Sequence, residues 1–124
     1  MVKVLRASAV TSGTGVTNGT GVDLSGFSEG LVFLNVTAKS GTNPTLDVHL
    51  EGSWDDSTYC DFPTAAAASS PCSFVFSQVV NTTGTYVLRI SNFGKWVRVV
   101  HQVGGTATPT YTFEVQFLGK REQQ

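Results

Sequence analysis

The segment 40–56, SGTNPTLDVHLEGSWDD, concentrates most of the side chains in this sequence that could do chemistry. Carboxylates and imidazoles bind metal ions, and they also donate and accept protons in catalysis. The segment could therefore form a metal site or an acid/base site, provided that the fold brings these groups together. The candidate residues are Asp47, His49, Glu51, Asp55 and Asp56.

Apolar and polar residues alternate in the first part of this segment, 45–51 (TLDVHLE). Period-two alternation predicts a β-strand with one buried face. Asp47, His49 and Glu51 would then share the solvent face at intervals of about 6.6 to 7 Å, which is too wide for joint coordination without ligands from another strand. We interpret them as a solvated polar face.

The next two acids, Asp55 and Asp56, fall in the predicted turn 52–58. Aspartate is favoured in turns because its carboxylate accepts hydrogen bonds from nearby backbone N–H groups. The segment lacks the ligand spacing of a calcium-binding loop, and weak calcium binding is left as an alternative.

No other motif predicts catalysis. There is no G-x-S-x-G elbow, and the glycine-rich stretch 11–21 lacks the Lys-Ser/Thr pair of a phosphate loop, so it is predicted to be a flexible loop. His101 shares a predicted strand face with Val97, Val99 and Val103, which indicates a buried or half-buried histidine. The sequence therefore predicts a protein that is not an enzyme, with no catalytic, metal or cofactor residues and no cofactor.

The two cysteines, Cys60 and Cys72, flank a predicted loop. Without an export signal we expect two reduced thiols, and a disulfide remains the alternative. Two thiolates with no nearby histidine pair do not complete a zinc site.

Composition narrows the class of partner. Charged residues make up 14 % of the chain and its formal net charge is -1, which disfavours nucleic-acid binding. No stretch approaches the roughly 18 to 20 apolar residues of a membrane span, and the N-terminus does not have the pattern of a signal peptide. The expected surface is rich in hydroxyl and amide groups.

Strand patterns recur along the chain, and helical periodicity is hard to find. We predict an all-β fold, a single antiparallel β-sandwich of about seven to eight strands with jelly-roll or immunoglobulin-like topology. An up-and-down barrel is the weaker alternative. The predicted strands cover 2–10, 31–38, 45–51, 59–62, 74–80, 86–90, 96–103 and 110–118.

Two of these strands and one predicted turn carry further expectations. The apolar run 31–38 is predicted to be buried on both faces. The stretch 104–109 (GGTATP) is predicted to be a turn, and strand 110–118 places Tyr111, Phe113 and Phe117 on the core side.

The predicted domain organisation is one domain over 1–124. Residues 1–21 form a strand followed by a flexible loop or arm, 22–118 form the sandwich, and 119–124 form a polar tail.

Three aromatic residues, Trp54, Tyr59 and Phe62, lie near the tip of the loop 52–62. Large aromatic side chains can anchor a protein interface. They can equally cap the end of the core, and both alternatives stay open.

Several segments, in their order along the chain, resemble a group of small virion proteins of tailed bacteriophages and prophages. The resemblance covers about 25–120, and its most specific parts are GTNPTLDV, GKWVRV and VGGTATPTYTFEV. It implies a non-enzymatic structural role, as a decoration (cement) protein on the capsid surface or as a neck or tail component. A carbohydrate- or receptor-binding module is a third hypothesis, disfavoured because the aromatic row of 110–118 is predicted to face the core.

The resemblance also implies partners and a location. The partners would be the major capsid protein or other virion proteins, together with further copies of the chain, with a trimer favoured over other homo-oligomers. No nucleic-acid or membrane partner is expected. The protein would lie on the virion, assembled in the host bacterial cytoplasm. Long polar arms can reach neighbouring subunits, so we expect 1–21 and 63–73 to make the contacts.

Overall fold

The computed structural model describes residues 2–61, 74–76, 78–91, 93 and 95–121. Within these residues every regular element is a β-strand, and all nine strands belong to one antiparallel sheet. The all-β prediction is confirmed. The strands are β1 (Val2–Ser12), β2 (Val16–Asn18), β3 (Val22–Asp23), β4 (Phe27–Ser53), β5 (Cys60–Asp61), β6 (Phe74–Val75), β7 (Val79–Val80), β8 (Gly84–Ser91) and β9 (Trp96–Arg121).

Two very long strands form the centre of the sheet. β4 has 27 residues and β9 has 26, and they pair with each other from Phe27 opposite Arg121 to Ser53 opposite Trp96. The shorter strands line the two outer sides of this pair. β1, β2 and β3 pair with β9, whereas β5, β6, β7 and β8 pair with β4.

The sheet divides into two halves at a corner in the central pair. The first half-sheet contains β1, β8 and the segments 27–40 and 110–121 of the central strands. The second half-sheet contains β2, β3, β5, β6, β7 and the segments 42–53 and 96–106. Between them the register shifts at Ser40/Thr42 and at Thr42/Thr45.

Left-handed backbone conformations produce this corner in both strands. On β4, Gly41 has a φ of 101° and Asn43 has a φ of 47°; on β9, Gly105 has a φ of 120°. Such values favour glycine and asparagine, and bulges of this kind bend a strand without ending it. A Cβ at Gly41 would come within 2.7 Å of the Pro109 Cα, so the two bent strands pack closely.

Both half-sheets contribute to one core. A single cluster of buried apolar residues includes Val32, Leu34 and Phe117 from the first half-sheet and Leu46 and Val97 from the second. Burying apolar surface stabilises the fold by about 25 cal/mol per Å². The sheet therefore bends at the corner so that both halves cover the same apolar interior.

The corner corrects one prediction about connectivity. The stretch 104–109 does not reverse the chain, because β9 continues through it, and the predicted strands 31–38 and 45–51 are likewise one strand. Hydrogen bonding shows one bent sheet, and the jelly-roll or immunoglobulin-like topology stays a prediction.

Two further boundaries and the burial of one strand differ from the sequence prediction. The predicted flexible loop 11–21 contains the end of β1 and all of β2, whose Val16 lies opposite Gln102. The expected polar tail begins later, since β9 extends to Arg121. The run 31–38 is buried on one face only, because its other face is the outer surface of the sheet and leaves Leu31 exposed.

Candidate interaction surface

The predicted polar strand face lies on the outside of the second half-sheet. Asp47, His49 and Glu51 alternate with buried apolar residues of β4, as predicted. The Glu51 side chain is not simply solvated, because its Oε1 accepts hydrogen bonds from Arg98 Nε at 2.8 Å and Nη2 at 2.6 Å. His49 Nε2 lies 3.4 Å from Glu51 Oε2. The face is thus a network anchored by a half-buried ion pair.

An aromatic ring extends this network toward the loop. The Arg98 guanidinium lies over the Tyr59 ring at 4.1 Å from its centroid, an arrangement that attracts the cation to the ring face. The Tyr59 hydroxyl donates a hydrogen bond to the Asp56 carboxylate. Burial, followed by this hydrogen bond, raises the pKa of Tyr59 to about 12. Tyr59 therefore packs against the sheet, while Trp54 is 67 % exposed.

The turn after β4 is built by Asp55. Its Oδ1 accepts hydrogen bonds from the backbone N–H of Ser57 at 2.9 Å and of Thr58 at 2.8 Å. These N–H groups hold the pKa of Asp55 below its ordinary value. The prediction that this acid serves the turn is confirmed.

His101 is buried at the junction of the two half-sheets, as its position among valines predicted. Its side chain is 5 % exposed, its Nε2 lies 3.0 Å from the Thr11 hydroxyl, and its ring meets Phe113 edge-on. Burial, and then the charge of Arg6, lower the pKa of His101 to about 4. The ring is therefore neutral at pH 7, and its Nδ1 has no hydrogen-bond partner within the described residues.

A cleft of about 520 Å³ borders this histidine between β1 and β2. The Arg6 guanidinium stacks over the Phe113 ring at 3.8 Å from its centroid and donates to the Phe113 carbonyl. These contacts fix the position of the Arg6 side chain. Arg6 lines the cleft together with Thr11 and His101.

Several predicted features lie partly or wholly outside the described residues. Phe62, Cys72 and the expected contact segment 63–73 are among them, so the state of the cysteines stays a prediction. In the described part of the chain, no group of three or more His, Cys, Asp or Glu residues is placed to hold a metal ion. No helix there has the length and apolar character needed to cross a membrane.

The aromatic row of β9 faces inward. Tyr111, Phe113 and Phe117 are fully buried, as predicted from alternation. The Tyr111 hydroxyl donates to the Pro44 carbonyl at 2.7 Å and ties β9 to the corner of β4. These rings stabilise the interior and do not form a platform on the surface.

The most distinctive surface is one that the sequence prediction missed. The outer side of the first half-sheet presents apolar side chains on all four of its strands, with Gln116 of β9 between Phe33 and Val4 and with Arg89 of β8 beside Leu31. We call this set the apolar outer face. Its members are Val2 and Val4 of β1, Leu31 and Phe33 of β4, Val87 of β8 and Leu118 of β9.

The central row of this face runs across three strands. Leu31 lies opposite Leu118 of β9, and Leu118 lies opposite Val2 of β1. Their side chains are 36 %, 42 % and 57 % exposed, respectively. Exposed apolar patches of this kind are typical of surfaces that contact another molecule.

Charged groups border the face at its two ends. At one end the Glu29 carboxylate accepts a hydrogen bond from Arg89 Nη2 at 2.9 Å and lies 3.4 Å from Lys120 Nζ. These two cations hold the pKa of Glu29 below its ordinary value. At the other end Glu114 accepts a hydrogen bond from the Asn35 amide at 3.4 Å. One end thus carries an excess positive charge and the other a negative charge.

No protein-family model matches the chain, and no curated protein matches it.

Proposed function

We propose that this protein is a non-enzymatic structural protein of a tailed-phage virion that binds the outside of the capsid lattice as a decoration protein. The observation that carries the proposal is the apolar outer face, which is suited to covering by protein. The resemblance of 25–120 to small phage virion proteins supplies the class of assembly.

The physical role follows from linkage. A protein that binds the expanded shell more tightly than the unexpanded shell stabilises the expanded state by the difference between its binding free energies for the two shells. A small all-β subunit with few charges suits this role because it docks through shape, apolar contact and hydrogen bonds. No step of this role requires a catalytic group.

The direct test is to mix the purified protein with expanded capsids that lack it and to count the bound copies. We expect copies on the order of hundreds per shell, following the lattice symmetry, and higher thermal stability of the shell. Unexpanded shells are the control and should bind fewer copies.

Other outcomes contradict the proposal in distinguishable ways. About five to twelve copies per particle would place the protein at a neck or a vertex, because a particle has only a few such positions. Absence of binding to any shell would overturn the virion role.

A further inference from the structure

The apolar outer face is self-complementary in charge along the strand direction. The end that contains Lys120 carries two cations and one carboxylate, and the end that contains Glu114 carries one carboxylate. Both residues lie on β9, six positions apart, which corresponds to about 20 Å. Phe117 lies midway between them along the strand.

A two-fold axis lying in the interface, perpendicular to the strands and above Phe117, would match these ends. Such an axis reverses the strand direction of the second copy and places β9 over β9. Lys120 of each copy then lies over Glu114 of the other. Opposite charges on facing surfaces fix register and disfavour other arrangements.

The same axis also pairs the apolar residues. The row of Phe117 contains Val32 of β4 and Lys3 of β1. Residues on either side of this row exchange places, so Leu31 faces Phe33 of the other copy. On β1, Val2 in the same way faces Val4. Apolar side chains thus meet apolar side chains on β1 and β4, whereas on β9 Leu118 faces Gln116 and on β8 Val87 faces Arg89 of the other copy.

The dimensions of the face bear on the affinity. Four strands at about 4.8 Å spacing and the seven rows from Glu114 to Lys120 at about 3.3 Å give roughly 440 Å². A stable interface buries about 800 Å² per partner, so we expect a contact of this size to be weak and transient. We therefore expect association in the micromolar range, visible as a concentration-dependent equilibrium.

We propose that the apolar outer face packs against the same face of a second copy of this chain about a two-fold axis, with Lys120 of each copy opposite Glu114 of the other. The inference rests on the proposed function in taking this face as an interface. It adds that the protein covering this face is a second copy of this chain.

The test is a charge exchange read out by sedimentation equilibrium from about 1 to 200 µM. We expect the wild-type protein to form a dimer, and both Glu114→Lys and Lys120→Glu to weaken it about tenfold or more, since each places like charges opposite one another. The double variant, Glu114→Lys with Lys120→Glu, should recover most of the affinity. If the partner on this face were a different protein, the double variant would not recover the affinity.

A matched pair of valine variants tests the location. Val2 on the face and Val80 outside it are 57 % and 54 % exposed. Val2→Glu should abolish dimerisation because it buries a charge against Val4 of the other copy, and Val80→Glu should leave it unchanged. Thermal unfolding of each variant confirms that it is folded.

Three results would overturn the inference: a wild-type monomer at every concentration, a trimer, or a double variant as weak as the single ones. The outcome is separate from the capsid test. A monomer that binds shells contradicts this inference alone, and a two-fold dimer that binds no shell contradicts the proposed function alone.

Discussion

The two half-sheets share one interior but differ on their outer surfaces. The outer side of the second half-sheet carries Asp47, His49, Glu51 and Arg98 in a hydrogen-bonded network. The corresponding side of the first half-sheet carries exposed apolar side chains on all four strands, and Arg89 is the charged residue beside them. Because the strands are continuous, the same two segments of chain supply both surfaces. The two outer surfaces therefore differ in polarity although both belong to one sheet.

The largest expected effect contrasts the same substitution in the two halves. Leu46→Asp places an unpaired charge in the interior of the second half-sheet, where Leu46 is fully buried, and should abolish folding. Leu31→Asp, on the outer side of the first half-sheet, should leave a folded protein. Circular dichroism and thermal unfolding compare the two variants. An unfolded Leu31→Asp variant would show that the outer side of the first half-sheet is part of the interior.

The corner that joins the halves should be the next most sensitive position. Gly105→Ala forces a side chain into a left-handed conformation, and its Cβ would meet the Asn43 carbonyl at 3.0 Å. We expect a loss of about 2 kcal/mol in urea denaturation. Gly13→Ala is the matched control, because Gly13 also has positive φ but has open space around it, and it should cost about 1 kcal/mol. Equal losses would mean that the close packing at the corner contributes little.

His101 predicts a smaller, pH-dependent effect at the junction. Its folded pKa of about 4 lies below the unfolded value near 6.5, so the unfolded state binds the proton first. Its contribution to stability is therefore complete above pH 6.5 and is lost as the pH falls toward 4. We expect the melting temperature to decrease by about 5 °C between pH 7 and pH 4.5.

The control for this pH effect is His101→Phe, which keeps an aromatic ring and removes the titration. Its melting temperature should change much less over the same range. A wild-type profile that is flat between pH 7 and 4.5, or an equal decrease in the variant, would contradict the account.

The smallest effect is expected on the polar outer side. Asp47→Asn combined with His49→Ala should change the free energy of unfolding by no more than about 0.5 kcal/mol, with or without EDTA. Glu51→Gln should cost more, about 1 kcal/mol, because it leaves the half-buried Arg98 without a charged partner. A large effect of EDTA on the wild-type protein would reveal a metal site that this arrangement does not contain.

Alternation predicted the faces of individual strands well. It placed Leu46 inside, Asp47 outside, and the rings of Tyr111 and Phe113 in the core, because side chains on a strand point to opposite faces with a period of two. The burial of His101 followed from the same rule.

The corner could not be predicted from local residues. The glycine and asparagine of 40–43 (SGTN) and the glycines of 104–109 (GGTATP) indicate left-handed backbone. Such conformations do occur at Gly41, Asn43 and Gly105. The same residue types occur where a chain reverses and where a strand bends without ending. Pairing with a strand far away in the sequence decides whether a reversal or a bend forms.

The apolar outer face was missed for a related reason. In the run 31–36 both faces carry apolar residues, so the pattern does not distinguish a strand buried on two sides from one that is buried on one side. The distinction comes from what lies above the sheet, which no residue of the run encodes.

The position of β9 between β1 and β4 has a consequence for biosynthesis. The strand that fills the centre of the sheet follows all the other described strands along the chain. Its partners on β4 lie between 43 residues away, from Ser53 to Trp96, and 94 residues away, from Phe27 to Arg121. Pairing over such separations is slow to form. The nascent chain therefore carries a gap at the centre of its sheet until β9 has been synthesised, and β9 must then insert between β1 and β4.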